Sequence, residues 1–215
     1  MNIRPGKAIA AAAGLLFLAA VGCTDPTVAP RSTVTAANIF TDQNSYLSFL
    51  AKVYAGLAVG GQQGGDGNVD IGGIDGGFSQ YLRLYWEHQE LPTDEAAIAW
   101  NDIGLPELNT QAFTAQGNMI NAMYYRVMFQ VGMANEFLRQ TTDGALAGRG
   151  VTSGSPLYTT IQQYRAEARF LRALSYWNGL DLFGSIPLVT ENAALGTIPQ
   201  QATRQALYDF CLSEL

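Results

Sequence analysis

The segment from Leu157 to Leu182 carries apolar side chains on two opposite faces when its residues are placed at helical spacing. One face holds Tyr164, Ala168, Leu171 and Ser175, and the opposite face holds Ala166, Phe170, Ala173, Trp177 and Leu180. A helix that is apolar on two opposed faces packs between two neighbours, so this segment predicts an interior helix of a helical array. Gly184 and Pro187 predict where it ends, because glycine favours a left-handed cap and proline cannot continue a helix.

Three arginines, Arg165, Arg169 and Arg172, run between these two faces. Like charges at helical spacing repel each other unless carboxylates, carbonyls or solvent compensate them. The favoured interpretation is a set of ion pairs and hydrogen bonds to loop carbonyls, and the alternative is an anion site.

Four further segments show apolar spacings of three and four. They are a helix that starts at an N-cap of Thr41 or Asp42 and reaches Leu57, then Phe78–Glu90, Thr114–Gln140 and Thr203–Leu215. Every methionine after Met1 lies in the third, which favours adaptable packing over a copper(I) site. The last apolar pattern continues to Leu215 without a cap, so we expect the chain to be a fragment of a longer protein. A repeat scaffold that is cut in this way exposes an apolar face, so we also expect the fragment to be poorly soluble by itself.

Residues 60–77 are half glycine, which predicts a surface loop. The stretch has no phosphate-cradling glycine motif. Asp66, Asn68 and Asp70 resemble the start of a calcium loop, but Ile71 stands where its glycine should be and Gly77 where its glutamate should be. A flexible loop is therefore favoured over a calcium site. A second glycine-rich break covers Gly144–Gly154.

The composition excludes several classes of protein. The chain is 48% hydrophobic, which excludes wholesale disorder, and its net charge of −6 with 12 Lys+Arg argues against nucleic-acid binding. One histidine and two cysteines argue against a histidine-rich metal site, a disulfide framework and a four-thiolate zinc site. We expect no cofactor and no metal.

The first residues predict an export signal and an anchor. Arg4 and Lys7 precede an uncharged run, 8–22, that is shorter than the about 20 apolar residues of a membrane span, so residues 1–22 are interpreted as a signal peptide. The residues before Cys23 are small and resemble a bacterial lipobox, in which the cysteine thiol is acylated, for example with palmitate. The alternative is an ordinary signal peptide with an incidental cysteine. Residues 23–37 are predicted to be the lipidated N-terminus and a flexible tether.

A longer motif carries a family resemblance. The stretch 164–177, YRAEARFLRALSYW, followed by 182–189, LFGSIPLV, closely resembles the SusD/RagB family, in which an EARFLRA helix precedes FG-x-x-P-L-V. Residues 133–138, MANEFL, resemble the AN-x-x-L element of that family, and Tyr54 and 93–95 match in order. The resemblance covers essentially the whole chain after the leader and is specific in 164–189.

The resemblance implies an all-α fold over 38–215, a tetratricopeptide-like helical repeat scaffold with long irregular loop insertions and its C-terminal part missing. It implies a lipid-anchored, surface-exposed outer-membrane protein that binds oligosaccharides or other nutrients and passes them to a SusC-like TonB-dependent transporter. It implies scaffold roles, without ligand contact, for the motif residues Glu167, Arg169, Phe170, Arg172, Gly184 and Pro187.

Candidate ligand contacts lie in the loops 66–77 and 93–109, the second being favoured, because sugars are bound by aromatic faces together with planar polar groups. We expect Trp100 to be a stacking platform and Asn101 or Asp102 a hydroxyl partner, with Asp94 nearby. The alternative for Trp100 is a core anchor that holds the loop down. Trp86 and Trp177 are both expected in the core.

Two other functions stay open. A lipid-anchored glycoside hydrolase would need two placed carboxylates, but no motif singles out a pair, and His88 is expected at the surface. A lipid-anchored helical-repeat protein could instead mediate protein–protein contacts without a small ligand. We therefore expect a binding protein and no enzyme.

Overall fold

The structure is a computed structural model that describes residues 39–40, 42–62, 68–194 and 196–215. The chain divides into two units between Ile39 and Phe40, and the second unit, Phe40–Leu215, is the one described below. The predicted signal peptide, Cys23, the tether 23–37, the candidate cap Thr41 and the start of the calcium-like motif at Asp66 lie outside the described residues.

Seven helices form the described part of this unit. They are α1 (Gln43–Ala55), α2 (Tyr81–Glu90), α3 (Leu105–Asn109), α4 (Asn118–Gln140), α5 (Asp143–Gly148), α6 (Pro156–Phe183) and α7 (Arg204–Glu214). Within the described ranges the only β pairings are two isolated bridges, Gly61 with Val69 and Pro187 with Gln201. The all-α prediction is confirmed, and the five long helices match the predicted segments closely.

Local capping explains where several helices begin and end. The carboxylate of Asp42 accepts a hydrogen bond from the Ser45 backbone N–H at 2.9 Å and so caps α1. The Ser155 hydroxyl caps α6 in the same way, because it accepts a hydrogen bond from the Tyr158 backbone N–H at 3.2 Å. Gly184 ends α6 with a φ of 77°, a left-handed conformation that favours glycine, as predicted.

Two short helices, α3 and α5, were not predicted from the sequence. The Thr142 hydroxyl caps α5 by accepting from the Ala145 N–H, so a helix forms inside the second glycine-rich break. The other, α3, begins after Gly104, whose φ is 95°, and has Pro106 in its first turn. Both helices are too short to give an apolar period, which is why the pattern did not predict them.

The core lies mainly between α4 and α6. The main cluster buries Met123, Val127 and Val131 of α4 with Tyr176 of α6 and Ile186 beyond it. At Gly179 an added Cβ would lie 2.4 Å from Ile186 Cδ1 and 3.1 Å from Val127 Cγ1, so a larger residue would force the buried Ile186 side chain to move. A second cluster packs α1 against the same pair of helices. Two methionines of α4, Met119 and Met123, are buried in the main cluster, in agreement with the packing interpretation.

The prediction that α6 is buried on two faces is correct for one face and wrong for most of the other. Ala168, Leu171 and Ser175 are buried. On the opposite face Ala173 is buried against α7, whereas Phe170 and Trp177 are half exposed. The reason is length, because α7 has 11 residues and α6 has 28, so α7 covers only a strip of that face.

Two tryptophans predicted in the core lie at the surface. Trp86 and Trp177 are each 51% exposed. On α2 the buried positions are Tyr81, Leu84 and Glu87, so Trp86 faces away from the core although its neighbours in sequence are aromatic.

The arginine stripe of α6 has the partners that the sequence analysis favoured. Arg165 donates to the Leu138 carbonyl at 2.7 Å, and Arg169 pairs with Glu214 at 3.1 Å. Arg172 is buried and contacts carboxylates of both Glu191 and Glu214, each at 2.5 Å. These bonds tie α6 to α7 and to the loop after Pro187.

A buried cation, Arg126 of α4, organises the glycine-rich segment. Its side chain is 0% exposed, and its guanidinium donates to the carbonyls of Gly60, at 2.8 Å, and Ser79. It also pairs with Asp70 at 3.1 Å, and the second cation on Asp70 is Lys52 at 2.9 Å. The Asp70 carboxylate therefore balances two cations, which is not the role that the calcium-loop interpretation gave it.

None of the helices in the described residues is both long enough and apolar enough to cross a bilayer.

We expect Arg126→Met to lower the free energy of unfolding by about 3–5 kcal/mol, because it removes one of the two cations that balance the buried Asp70 carboxylate and leaves the carbonyls of Gly60 and Ser79 without this donor. Urea unfolding of the full chain measures this. The matched control is Arg139→Met, whose partly exposed pair with Glu136 contributes at most about 1 kcal/mol. Equal losses in the two variants would contradict the role given to Arg126.

Candidate functional site

The segment 92–104, called the Trp100 loop below, is irregular but held at several points. The Asn109 amide of α3 donates to the carbonyls of Leu91 and Ala96, at 3.0 and 3.2 Å. The Gln111 amide donates to the Pro92 carbonyl at 2.6 Å. The loop backbone is thus fixed to α3 and the turn after it, which is the arrangement that presents a loop side chain in a defined place.

Trp100 is 55% exposed, so its indole is not packed as a core anchor. The side chain of the neighbouring Asn101 is exposed as well, and that of Asp102 is partly buried. Asp94 lies earlier in the same loop and is exposed. An accessible tryptophan, an exposed amide and a partly buried carboxylate therefore follow one another at 100–102, whereas Asp94 shares only the loop.

Asp102 lies close to a carboxylate of α2 that the sequence analysis missed. Glu87 is 2% exposed, and burial raises the pKa of its carboxyl. The Arg83 guanidinium lowers the pKa of Glu87, and the nearby Asp102 carboxylate raises it. The Asp102 carboxylate is thus within electrostatic range of Glu87, which is buried and pairs with the partly exposed Arg83.

Arg83 is the cation of this region. Its Nε donates to Glu87 Oε1 at 2.9 Å and its Nη1 to the Gly77 carbonyl at 3.0 Å. Its guanidinium carbon lies 4.7 Å from the centre of the Phe78 ring. These contacts hold a partly exposed donor group in place. The i, i+4 spacing of Arg83 and Glu87 was the sequence signal that could have indicated the pair.

The other candidate loop, 66–77, offers fewer available side chains for ligand contact. Asp66 lies outside the described residues, and Asp70 is engaged by Lys52 and Arg126. Asp75 accepts a hydrogen bond from the Gly77 N–H at 2.6 Å. In the part of the chain that the structure describes, no group of three or more histidine, cysteine, aspartate or glutamate side chains is placed to hold a metal ion.

The family-motif residues lie in α6 and directly after it. Their contacts are with α1, with α7 and with the connection between α6 and α7, and not with the Trp100 loop. Glu167 accepts a hydrogen bond from the Tyr54 hydroxyl of α1 at 2.7 Å, and Arg169 and Arg172 bind Glu214 of α7. Gly184 caps α6, and Pro187 forms a bridge with Gln201. Phe170 is half exposed. Four of the six residues thus join or end helices, Pro187 pairs two loop segments, and the scaffold role of all six remains a prediction.

His88, expected at the surface, is partly buried. Its Nδ1 lies 2.6 Å from the Leu84 carbonyl oxygen, which can only accept, so Nδ1 carries the proton. Burial lowers the pKa of His88. The hydrogen bond to the Leu84 carbonyl raises it by less, so the pKa is lowered overall. The expectation was wrong because the ring folds back onto the Leu84 carbonyl of its own helix and lines a cavity with Pro92 and Phe183 instead of extending into solvent.

Comparison with known proteins identifies the class. No model of a known protein family matches the chain. The starch-binding protein SusD of Bacteroides thetaiotaomicron is 35% identical over 167 residues, which are 77% of this chain and 28% of SusD. A crystal structure of a SusD-like carbohydrate-binding protein from Bacteroides fragilis superposes with a TM-score of 0.50 at 20% identity, over 82% of this chain and 31% of that one.

The chain is therefore an α-helical protein of the SusD type, and it belongs to the SusD/RagB family. It spans less than a third of the length of either relative. Both relatives are named as binding proteins.

The lone histidine gives a pH prediction. Because the pKa of His88 is lower in the folded chain than its ordinary 6.5, the unfolded chain binds more protons just below that pH, and folding stability is lost as the pH falls through this range. His88→Gln removes this contribution, so the wild type should lose stability relative to the variant by at most about 1.4 kcal/mol per pH unit. Urea unfolding at pH 7.5, 6.5 and 5.5 measures the difference. Parallel pH profiles would contradict the prediction.

Proposed function

We propose that this chain is the N-terminal part of a glycan-binding lipoprotein of the outer membrane, and that the Trp100 loop contacts the glycan. The observation that carries the proposal is the half-exposed indole of Trp100 on a loop whose backbone is held by hydrogen bonds. The names of the two relatives, a starch-binding and a carbohydrate-binding protein, support the ligand class.

The chemistry of the loop suits a sugar. One face of a pyranose ring is apolar and stacks on an indole, while its hydroxyl rim donates to carboxylates and accepts from amides and guanidinium groups. Asn101 and Asp102 directly follow Trp100, and Arg83 is held beside Glu87 near Asp102. The set therefore offers an aromatic platform together with both donors and acceptors.

Anchoring and transfer complete the proposal. Residues 1–22 direct export, Cys23 is acylated, and the tether 23–37 separates the lipid from the helical domain. The protein then lies at the cell surface, holds oligosaccharide or another nutrient, and passes it to a SusC-like TonB-dependent transporter. No chemical step is assigned to it.

We expect Trp100→Ala to weaken glycan binding by about 2 kcal/mol, or about 30-fold in Kd, because it removes the stacking platform. Calorimetry of the full chain against defined neutral oligosaccharides measures the change. The matched control is Trp177→Ala, which removes a tryptophan of similar exposure, 51% against 55%, on helix α6. Equal weakening in both variants would contradict the site, and sugar release by the wild type would contradict the absence of catalysis.

Lipidation has its own test. We expect cells that express the full chain to incorporate radiolabelled palmitate into it and to retain it in the outer-membrane fraction. Cys23→Ala should abolish both, because it removes the only thiol at the predicted cleavage site. The control is Cys211→Ala, since Cys211 is buried against α6 and is expected to carry no lipid. Labelling that survives Cys23→Ala would overturn the anchor.

A further inference from the structure

Two adjoining cavities lie on either side of Phe113, in the connection between α3 and α4. The larger, called the Phe113 cavity below, has a volume of about 510 Å³, and its walls include Leu108, Ile120, Phe183, Gln89 and Asp181. The smaller measures about 390 Å³ and shares Phe113 and Ile120 with the larger. Small-molecule sites have volumes of about 300–1,000 Å³, so the Phe113 cavity can hold a small ligand.

The connection between α3 and α4 presents Phe113 in a fixed place. The Ala112 N–H donates to the Glu107 carbonyl at 2.9 Å. Gln111 adopts a left-handed conformation, with φ of 56°, and its amide is bound to the Pro92 carbonyl. Although this backbone is well bonded, the Phe113 side chain is 45% exposed. An aromatic ring that lines two cavities and remains accessible offers a stacking surface.

The polar edge of the Phe113 cavity is formed by α2 and α6. Gln89 donates to Asp181 Oδ2 at 2.6 Å, and the Asp181 carboxylate keeps further acceptor positions because each oxygen has two lone pairs. The ring of His88 also lines this cavity. Its pKa is lowered by burial, which favours the neutral ring. Among the described lining residues of both cavities there is no lysine or arginine, whereas Asp181 and Glu107 contribute negative charge.

These features select the ligand class. An anionic ligand would meet the Asp181 and Glu107 carboxylates with no lysine or arginine in the walls, and a purely apolar ligand would cover the remaining acceptor positions of Asp181 without supplying a donor. A neutral ring with an apolar face and donating hydroxyls meets both requirements. Trp100, Asn101 and Asp102 line neither cavity, so the Phe113 cavity uses other side chains than the candidate contacts at 100–102, although Pro92 and Ile103 near the two ends of the Trp100 loop line one cavity each.

We propose that the Phe113 cavity is a second sugar-binding site, in which one neutral pyranose ring stacks on Phe113 and donates a hydroxyl hydrogen bond to Asp181. The inference rests on the proposed glycan binding for its ligand class, but it uses different residues.

NMR titration of the full chain tests it with one reporter for each site: the Ile120 methyl group in the wall of the Phe113 cavity and the Trp100 indole N–H in the loop. The probes are neutral trisaccharides of glucose, xylose, mannose and galactose, and a cationic glucosamine trisaccharide. We expect a neutral trisaccharide to shift the Ile120 signal, Phe113→Ala to weaken that response at least 10-fold, and Phe113→Tyr to restore it. Asp181→Asn should weaken it by about 3- to 10-fold. Ile198→Ala, at a position 84% exposed, should change nothing.

The outcomes separate the two proposals. A response of Trp100 without one of Ile120 overturns the second site and leaves the proposed function standing. A response of Ile120 that survives Trp100→Ala and is lost in Phe113→Ala supports the second site by itself. Binding of only the cationic trisaccharide at Ile120 overturns the neutral ligand class, and no response at either reporter overturns both proposals.

Discussion

The buried guanidinium of Arg126 is the interaction on which the arrangement of the domain depends. A segment that is half glycine has few side chains with which to form a core, so its backbone carbonyls must be bound by donors from elsewhere. Arg126 provides those donors for Gly60 and Ser79, and Asp70 from the same segment balances its charge. Burial lowers the pKa of Arg126 and the Asp70 carboxylate raises it, which keeps the cation charged in place. Since Ser79 directly precedes Gln80, the N-cap of α2, the same contact holds the chain at the entry to the helix that carries Arg83 and Glu87.

Helix α2 connects the frame with both candidate binding regions. Glu87 lies beside Asp102 of the Trp100 loop, and the next two residues, His88 and Gln89, line the Phe113 cavity. Successive helical residues differ by about 100°, so one short helix can serve two separate surfaces. The frame behind it is the α4–α6 pair, which Asn178 joins to α2 by a hydrogen bond to the Tyr81 hydroxyl at 3.0 Å. The loops that present Trp100 and Phe113 are thus supported by buried contacts, although both side chains are accessible.

Sequence reasoning was accurate where the physical cause is local and weak where it is not. The apolar spacing and the caps predicted five helices, and the stop at Gly184 was found at the predicted residue. The predicted burial of Trp86 and Trp177 was wrong, because an aromatic residue in a helical pattern does not indicate whether another element covers it. Arg126 and Glu87 were missed because charged residues are normally solvated. The burial of Arg126 depends on partners distant in sequence, whereas Glu87 has a local partner in Arg83. For the candidate site, the sequence indicated Trp100, Asn101 and Asp102, but it did not indicate Arg83 or Phe113.

The sequence by itself determined the helical class, most of the helix boundaries, the family motif of α6, and the predicted leader and acylation site, since spacing, caps and short motifs act over a few residues. Only the tertiary structure decided which faces are covered, which carboxylate balances which arginine, and which aromatic rings remain accessible. The physical reason is that burial and ion pairing depend on residues far apart in the chain, as Asp70 and Arg126 or Arg172 and Glu214 show. Whether an aromatic side chain is packed in the core or available to a ligand follows from that long-range packing.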